Sequence, residues 1–325
     1  QAEDGIRDRS PSRGLGDVYK RQTWNRTKRE PFGWPGHESV FAPYPEMDTS
    51  DIGAPSAPAG WVRLWSELSA PDFEEALLHA RAEADGLLGA EIDSLLAVRK
   101  HLESGDVFAI LIEPMQCEGG DRYSSARFHQ GLACLATALN VPLVYDEIQT
   151  GFGLGGEFFW HRMFDLRLAN QQPFFPAAVV CAKKAQTGIA LTLDSASAAT
   201  GQYSTASLLR GYIQASVIHQ FQKSITLIEE TNRQQLGQLL EDYGQAIGRP
   251  RVQGLAFAFD LTNPELLQRF VGHRFEHGLL FYPAGEKTAR FRMNLGFQAE
   301  HIPVSYTHLR AHETDSYLVC RLLLE

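Results

Sequence analysis

The sequence predicts an α/β fold in which a mostly parallel sheet is followed by a smaller α+β region. Two short apolar segments, residues 107–112 and 143–146, flank a helical pattern, and this strand–helix–strand order implies parallel strands. After about residue 195 the pattern changes to one long amphipathic helix followed by alternating strands. The 325 residues are enough for a sizeable core and one or two domains.

The first region alternates helical and strand patterns. Residues 71–103 are rich in Ala, Leu and Glu and predict helix, which Gly86 and Gly89 divide. Residues 107–112 predict a strand with apolar side chains on both faces, and residues 178–182 predict another short strand. The intervening helix is predicted from apolar residues at helical spacing, namely Phe128, Leu132, Leu135 and Leu139.

The second region combines helices with strands of alternating polarity. Residues 255–261 predict a half-buried strand, and residues 264–277 predict a helix. Residues 289–295 alternate again, with Arg290 and Arg292 on the face opposite the apolar side chains. One long amphipathic helix is predicted from Leu209, Ile213, Val217, Phe221, Ile225 and Ile228.

Charge, hydropathy and cysteine spacing exclude several classes of protein. The formal net charge of −9 argues against a nucleic-acid binder, which needs a basic face. No apolar run reaches the roughly 18–20 residues of a membrane helix. The cysteines show no CxxC pair, so we expect free thiols in a reducing compartment and a cytoplasmic location. They are Cys117, Cys134, Cys181 and Cys320.

Both ends of the chain resemble translated sequencing-adapter DNA. Residues 1–22 mix Gly, Pro, Ser and charges without periodicity, and we expect a non-native, disordered tail there. Residues 304–325 are expected to be a second non-native tail. A natural basic arm and a natural C-terminal helix are the alternatives. The domains predicted between the tails are a large domain at 23–195 and a small C-terminal domain at 196–303.

The central segment, residues 143–151, runs from an apolar strand into Asp146 and Glu147 and then into a glycine-rich turn. Open α/β sheets bind ligands just beyond the carboxyl ends of such strands. A carboxylate there is costly to bury unless a positive group meets it. We therefore expect a cationic partner for Asp146.

Three familiar sites fit this segment poorly. Residues 151–156 match GxGxxG, but no acid follows at the offset of about 20 residues that a dinucleotide site needs, so a flexible turn is preferred. A nucleotide-triphosphatase metal strand needs a GxxxxGK[ST] loop, which the sequence lacks. No histidine cluster accompanies the acids, and the nearest histidine, His161, stands alone. We expect no metal site.

Glu118, Asp146 and Lys183 lie at or just beyond the ends of predicted strands, where they can converge. A partly desolvated lysine forms a Schiff base, and a carboxylate opposite a pyridine nitrogen keeps that nitrogen protonated. These are the parts of pyridoxal phosphate (PLP) chemistry. Spacing alone favours the alternative, a surface lysine pair and a strand-end acid in water.

The motifs resemble class III PLP-dependent aminotransferases, nearest to the lysine 6-aminotransferase and 4-aminobutyrate aminotransferase group. The resemblance covers roughly residues 30–300. It implies part of the large domain of PLP-dependent transferase fold type I, plus a smaller α+β C-terminal domain. The segments that carry it are residues 113–121, 145–151 and 182–188, together with 282–285 and 289–292.

The resemblance implies a role for each cofactor residue. Lys183 is expected to be the Schiff-base lysine, because the family places it after a small residue, with Lys184 as the rival. Asp146 is expected to pair with the pyridine nitrogen and Gln149 with the phenolic oxygen. Thr205 is a possible phosphate contact.

The resemblance also implies substrates and an assembly. Glu118 is expected to be a switch acid that pairs with an arginine when a substrate enters by its amine end. Arg290 is expected to bind the substrate α-carboxylate, with Arg292 as the alternative. Lys183 then moves the proton as general acid and base. Substrates are an amino acid with a terminal or omega amine and a 2-oxo acid, and the full-length protein is expected to be a homodimer.

Three departures from the family pattern bear on activity. Ala177 stands where the family has Asp, and residues 204–207 keep only part of a phosphate-binding segment. The family's N-terminal third, which carries the phosphate loop and the stacking aromatic residue, has no counterpart before Glu113. We therefore expect a fragment with a half-built pocket that is weak or inactive alone. The alternative is a non-catalytic subunit of the same fold that acts as a dimerisation or scaffold module.

Overall fold

The computed structural model describes residues 39–48, 53, 70–84, 86–168, 170–193, 204–294 and 296–310. The tail predicted at 1–22, residues 311–325 of the second tail and the domain boundary predicted at 195 lie outside the described residues. Both domain assignments therefore stay predictions.

The first region contains three helices, six strands and two short 3-10 helices among the described residues. The 3-10 helices are Trp160–Phe164 and Lys183–Ala185. The helices are α1 (Ala70–Glu83), α2 (Gly86–Leu102) and α3 (Ala126–Ala138). The strands are β1 (Ile110–Ile112), β2 (Met115–Gln116), β3 (Arg122–Tyr123), β4 (Leu143–Asp146), β5 (Ala178–Cys181) and β6 (Ile189–Thr192).

Four of these strands form one mostly parallel sheet in the order β1-β4-β5-β6. β1 pairs with β4 and β4 pairs with β5 in parallel, whereas β6 runs antiparallel to β5. The predicted α/β class and parallel arrangement are confirmed. β1 is shorter than predicted and begins at Ile110, and the side chain of Phe108 before it is 72% exposed.

The helix α3 connects β1 to β4, as the strand–helix–strand pattern predicts. Ser125 caps its first turn, since the hydroxyl accepts a hydrogen bond from the Phe128 N–H at 3.0 Å. Phe128, Leu132 and Leu135 are buried, which confirms the helical spacing. This packing holds β1 and β4 side by side with their carboxyl ends together.

The second region is a long helix followed by an antiparallel sheet of order β7-β8-β10-β9. None of the helices among the described residues combines the length and apolar composition that a membrane span requires. The helices are α4 (Thr205–Tyr243), α5 (Pro264–His273) and α6 (His301–Arg310), and the strands are β7 (Ile247–Gln253), β8 (Ala256–Leu261), β9 (Tyr282–Ala284) and β10 (Thr288–Arg292).

One burial prediction for this region was wrong and another was only partly right. The strand predicted as half-buried, β8, is buried at every residue because it lies between β7 and β10 and is covered on both faces. The apolar face predicted for the long helix is confirmed at Ile225 and Ile228, which are buried, and is wrong at Leu209 and Ile213, which are exposed. The face that packs inward contains Ile218, Ile225, Ile228, Leu236 and Leu239.

The helix α6 crosses the predicted boundary at residue 303. Ile302, Tyr306 and Leu309 are buried in the same core as Phe257 and Leu239. The boundary therefore does not coincide with the end of an element. The adapter origin of the residues after 303 stays a prediction.

Candidate functional site

The carboxyl ends of β1, β4 and β5 meet at one edge of the first sheet. Ile112 is opposite Tyr145, and Asp146 is opposite Val180. The residues that follow these strands, Glu113 and Lys183 among them, therefore gather around Asp146. This edge is the candidate site.

Asp146 is a half-buried carboxylate whose oxygen accepts a hydrogen bond from the Ile148 N–H at 3.0 Å. Burial raises its pKa, while that hydrogen bond and the nearby Lys183 ammonium oppose the rise. The Lys183 ammonium is thus within electrostatic range of Asp146, and the predicted pairing of Asp146 with a cofactor nitrogen stays a prediction.

The two adjacent lysines occupy different environments on the 3-10 helix Lys183–Ala185. Lys183 is exposed, and its charge acts on Asp146 and on Glu113. The Lys184 amine is buried and has no hydrogen-bond partner within the described part of the chain. Burial and, to a smaller extent, the neighbouring Arg292 lower the pKa of Lys184 to about 7. The pair therefore separates into one amine near the acids and one beside an arginine.

Glu118, Arg290 and Gln149 form a hydrogen-bonded group of three. Arg290 Nη2 donates to Glu118 Oε1 at 2.5 Å. Gln149 Nε2 donates to the same Glu118 oxygen at 3.3 Å, and Gln149 Oε1 accepts from Arg290 Nη1 at 3.3 Å. The Arg290 side chain is only 9% exposed, whereas the Glu118 side chain is 51% exposed. The structure therefore joins three of the residues that the sequence singled out.

Arg292 is bound elsewhere. Its two terminal nitrogens donate to both oxygens of Asp121, at 2.7 and 2.5 Å, and Asp121 is completely buried. Such a two-point pairing fixes the guanidinium plane. Arg292 is thus committed to Asp121, while Arg290 faces Glu118.

Glu147 points away from Asp146 because side chains alternate along a strand. Its buried carboxylate accepts hydrogen bonds from Trp160 N at 2.7 Å, from His161 N at 2.8 Å and from His161 Nδ1 at 2.7 Å. Thr150 Oγ1 donates to it at 3.2 Å. This satisfied carboxylate anchors the segment that follows β4.

The glycine motif at 151–156 is a turn, as predicted, but it is buried and closely packed where a flexible turn was expected. A Cβ at Gly151 would lie 2.9 Å from the Glu147 carbonyl oxygen, and one at Gly155 would lie 2.5 Å from Met163 Cε. The glycines are needed for close approach within the protein. His161 is held by Glu147, and the residues that the structure describes contain no group of three or more His, Cys, Asp or Glu able to hold a metal ion.

Glu113 is the site residue that sequence reasoning missed. It follows β1 as Asp146 ends β4, a signal that could have identified it. Its carboxylate accepts a hydrogen bond from the Cys117 N–H at 3.2 Å. Burial and then the nearby Asp146 raise the pKa of Glu113 to about 7. It therefore gains or loses a proton near neutrality at the centre of the site.

Thr205 begins α4 and is exposed. The helix packs against the lysine segment further along, where a Cβ at Gly211 would lie 3.1 Å from the Ala185 carbonyl oxygen. Thr205 is about 9 Å along the helix from that contact. Its phosphate contact stays a prediction.

The sequence matches the family described as Aminotransferase class-III over residues 67–311. The chain therefore belongs to the class III aminotransferases, which are PLP-dependent, and the predicted family is confirmed. Its fold is that of PLP-dependent transferases of fold type I, as expected.

The relatives are longer than this chain. It is 26% identical to a probable mitochondrial 4-aminobutyrate aminotransferase of Caenorhabditis elegans, covering 67% of this chain and 45% of that protein. It is 25% identical to the L-lysine-epsilon aminotransferase of Mycobacterium tuberculosis, covering 77% and 56%. The chain thus spans about half the length of the curated relatives it matches.

The fold is also similar to solved structures. Lysine aminotransferase from M. tuberculosis in the internal aldimine form superimposes with a TM-score of 0.63 at 23% identity, covering 69% of this chain and 54% of that one. Ornithine aminotransferase from Plasmodium yoelii gives a TM-score of 0.56 at 18% identity, covering 71% and 61%. At these identities the likeness concerns the fold alone.

Proposed function

We propose that this chain is part of a PLP-dependent transaminase that moves an amino group from an amino acid to a 2-oxo acid. A terminal or omega amine is the proposed donor group, which the names of the 4-aminobutyrate and lysine-epsilon relatives support. The observation that carries the proposal is the half-buried Asp146 with the Lys183 ammonium in electrostatic range, at the sheet edge where Glu118 and Arg290 also meet.

The residues present fit the cofactor. A half-buried carboxylate whose pKa burial raises gains most from a cationic partner, and a protonated ring nitrogen is such a partner. In this proposal Asp146 and Lys183 would hold the cofactor, Asp146 at its ring nitrogen and Lys183 at its aldehyde group, and Gln149 and Thr205 would be further contacts. When bound, the cofactor supplies an electron sink.

The chain's own residues do the remaining work. Lys183 is exposed at this sheet edge, and in this proposal its side chain, as the neutral amine, would take a proton from a substrate carbon and return it. Arg290 binds the substrate carboxylate once Glu118 releases it. Arg290 is preferred to Arg292 because both oxygens of Asp121 already hold Arg292.

Assembly and location are proposed as well. We infer a homodimer in the full-length protein and a cytoplasmic location, the latter supported by the buried free thiols Cys117 and Cys181. A non-catalytic subunit is the second candidate, favoured by Ala177 and by the altered segment at 204–207.

Borohydride trapping tests the proposal directly. The chain is incubated with PLP, reduced, digested and mapped by mass spectrometry. The reduced adduct is expected at Lys183, absent in Lys183→Ala and retained in Lys184→Met, with the exposed Lys223 as the measure of non-specific labelling. An adduct concentrated at Lys184, or equal labelling of Lys183 and Lys223, would contradict the assignment. A strong visible absorbance band at stoichiometric PLP would contradict the half-built pocket.

Turnover separates the two candidate functions. The trapped site is compared with formation of a 2-oxo acid from lysine or 4-aminobutyrate. Adduct formation with product in wild type but none in Lys183→Ala supports the enzyme. Adduct formation without product is expected both of a half-built pocket and of the non-catalytic candidate. The full reading frame then separates the two, because an intact strand, Gly/Ser loop and helix upstream would support the enzyme.

A further inference from the structure

The Glu118 carboxylate accepts hydrogen bonds from the side chains of two other residues. One of its oxygens, Oε1, receives both the Arg290 Nη2–H at 2.5 Å and the Gln149 Nε2–H at 3.3 Å. Arg290 and Gln149 also contact each other, so they form one donor surface. We call this pair, Arg290 and Gln149, the carboxylate cradle.

Both residues of the cradle are positioned by secondary-structure elements. Gln149 follows β4 in the turn that Glu147 anchors, and Arg290 belongs to β10, the strand between β8 and β9. The Arg290 Nε–H is buried and has no partner among the residues that the structure describes. A buried donor without a partner is costly, so the cradle has hydrogen-bonding capacity left for a ligand.

Glu118 can leave the cradle without a backbone movement. The Gly285 N–H donates to the Glu118 carbonyl oxygen at 2.9 Å, and a Cβ at Gly285 would lie 3.0 Å from the Gly119 carbonyl oxygen. These contacts fix the backbone of Glu118. Its side chain is 51% exposed, so rotation into solvent is open to it.

We propose that Gln149 is a carboxylate-binding residue: the substrate carboxylate takes the place of the Glu118 carboxylate and receives hydrogen bonds from Gln149 Nε2 and from Arg290 together. Gln149 Oε1 meanwhile stays on Arg290 Nη1 and keeps the guanidinium in orientation after Glu118 leaves. The identity of the natural ligand rests on the proposed function, whereas the cradle does not.

This role differs from the cofactor contact expected for Gln149. An amide has two N–H donors, so one can reach a carboxylate while the other is free for a second acceptor. The consequence for specificity is that a ligand needs a carboxylate, since a neutral amide could accept the two hydrogen bonds but would leave the buried Arg290 guanidinium without a counter-charge.

The test measures binding of sodium glutarate to the chain without cofactor, by calorimetry. Glu118→Ala vacates the cradle, and we expect it to bind glutarate roughly two- to fivefold more tightly than wild type, because the half-exposed internal competitor is gone. In that background Gln149→Met is expected to weaken glutarate binding roughly three- to tenfold, since one hydrogen bond to a charged group is lost. Arg290→Met is expected to abolish binding.

Controls keep the result interpretable. Gln172→Met changes an exposed glutamine elsewhere and is expected to leave glutarate affinity unchanged in the Glu118→Ala background. Glutaramide replaces glutarate as the neutral probe and is expected not to bind. Glu118→Gln provides a second background of similar volume, and circular dichroism verifies that each variant is folded.

Two results overturn the proposal. One is a glutarate affinity that Gln149→Met leaves unchanged in both the Glu118→Ala and the Glu118→Gln backgrounds. The other is no glutarate binding by folded Glu118→Ala and Glu118→Gln. Because no cofactor is present, failure here is separate from failure of the trapping experiment at Lys183.

Discussion

Two arginines on the same strand, β10, pair with two acids that differ in burial and in hydrogen bonding. Arg292 meets Asp121, a completely buried carboxylate, through both of its terminal nitrogens. Arg290 meets Glu118, whose side chain is half-exposed and shares one oxygen with Gln149. The first pair joins the two regions of the chain through a buried carboxylate, and in our proposal the second exchanges its acid for a ligand.

The two carboxylates at the carboxyl end of β4, Asp146 in the strand and Glu147 just after it, differ in the same way. Glu147 is buried with four donors around it, so it is a structural anchor. Asp146 has one backbone hydrogen bond and a nearby lysine. Carboxylates with all their hydrogen-bonding positions filled serve the fold, whereas those with positions left serve the site. Substitutions on each side should separate the two classes.

The largest effect is expected from Asp121→Asn. The change leaves the Arg292 guanidinium buried without its counter-charge and close to Lys184. We expect a loss of about 3–5 kcal/mol in the free energy of unfolding. Urea denaturation measures it. Asn tolerates the positive φ of 48° at this position, so backbone strain does not confound the result. Lys184→Met in the same background should recover part of the loss.

Glu147→Gln is expected to cost about 2–4 kcal/mol, because an amide N–H replaces an oxygen that now accepts hydrogen bonds from Trp160 and Thr150. Asp146→Asn is the matched control on the same strand end and should cost less than about 1 kcal/mol. Equal losses of stability for the two variants would contradict the distinction between Glu147 as a structural anchor and Asp146 as a site residue.

The raised pKa of Glu113 predicts how the free energy of unfolding changes with pH. Its pKa in the folded chain is raised to about 7, so the folded chain binds more protons than the unfolded chain between that value and its ordinary value. The stability that protonated Glu113 contributes to the folded chain is therefore fully present at low pH and is lost as pH rises through about 7. At about pH 8, Glu113→Gln should be more stable than wild type by about 1–2 kcal/mol. Identical melting curves of the two proteins at that pH would count against a raised pKa of Glu113 in the folded chain.

The smallest effect on stability is expected from Glu118→Gln. Its pair with Arg290 is half-exposed, and such pairs contribute about 0–1 kcal/mol. Thermal melting of Glu118→Gln beside Asp121→Asn therefore compares the two arginine pairs in one experiment. A loss as large as that of Asp121→Asn would mean that Glu118 is a fixed structural partner.

Much of the site could be predicted because its residues stand where strands end. Asp146 and Lys183 each follow an apolar strand, and Arg290 alternates with Phe291 along β10. These are local signals that a single sequence carries. The choice between Arg290 and Arg292, in contrast, depends on Asp121, which lies 171 residues away along the chain.

What sequence could not predict depends on tertiary partners. The apolar spacing of α4 indicated a helix, but it could not indicate that Leu209 and Ile213 face outward while Ile218 packs inward. The burial of β8 on both faces follows from its central place in the second sheet. The cradle likewise arises only when Gln149 and Glu118, 31 residues apart, are brought together by β1 and β4.

The pairing of Asp146 with a ring nitrogen is the central claim, and the nitrogen itself can be observed. The chain is reduced with borohydride in the presence of PLP labelled with 15N in the ring, and the nitrogen resonance is followed against pH by NMR. In the protein labelled at Lys183, the ring nitrogen should stay protonated to higher pH than in the same adduct of Asp146→Asn. Superimposable titrations of the two proteins would contradict the claim.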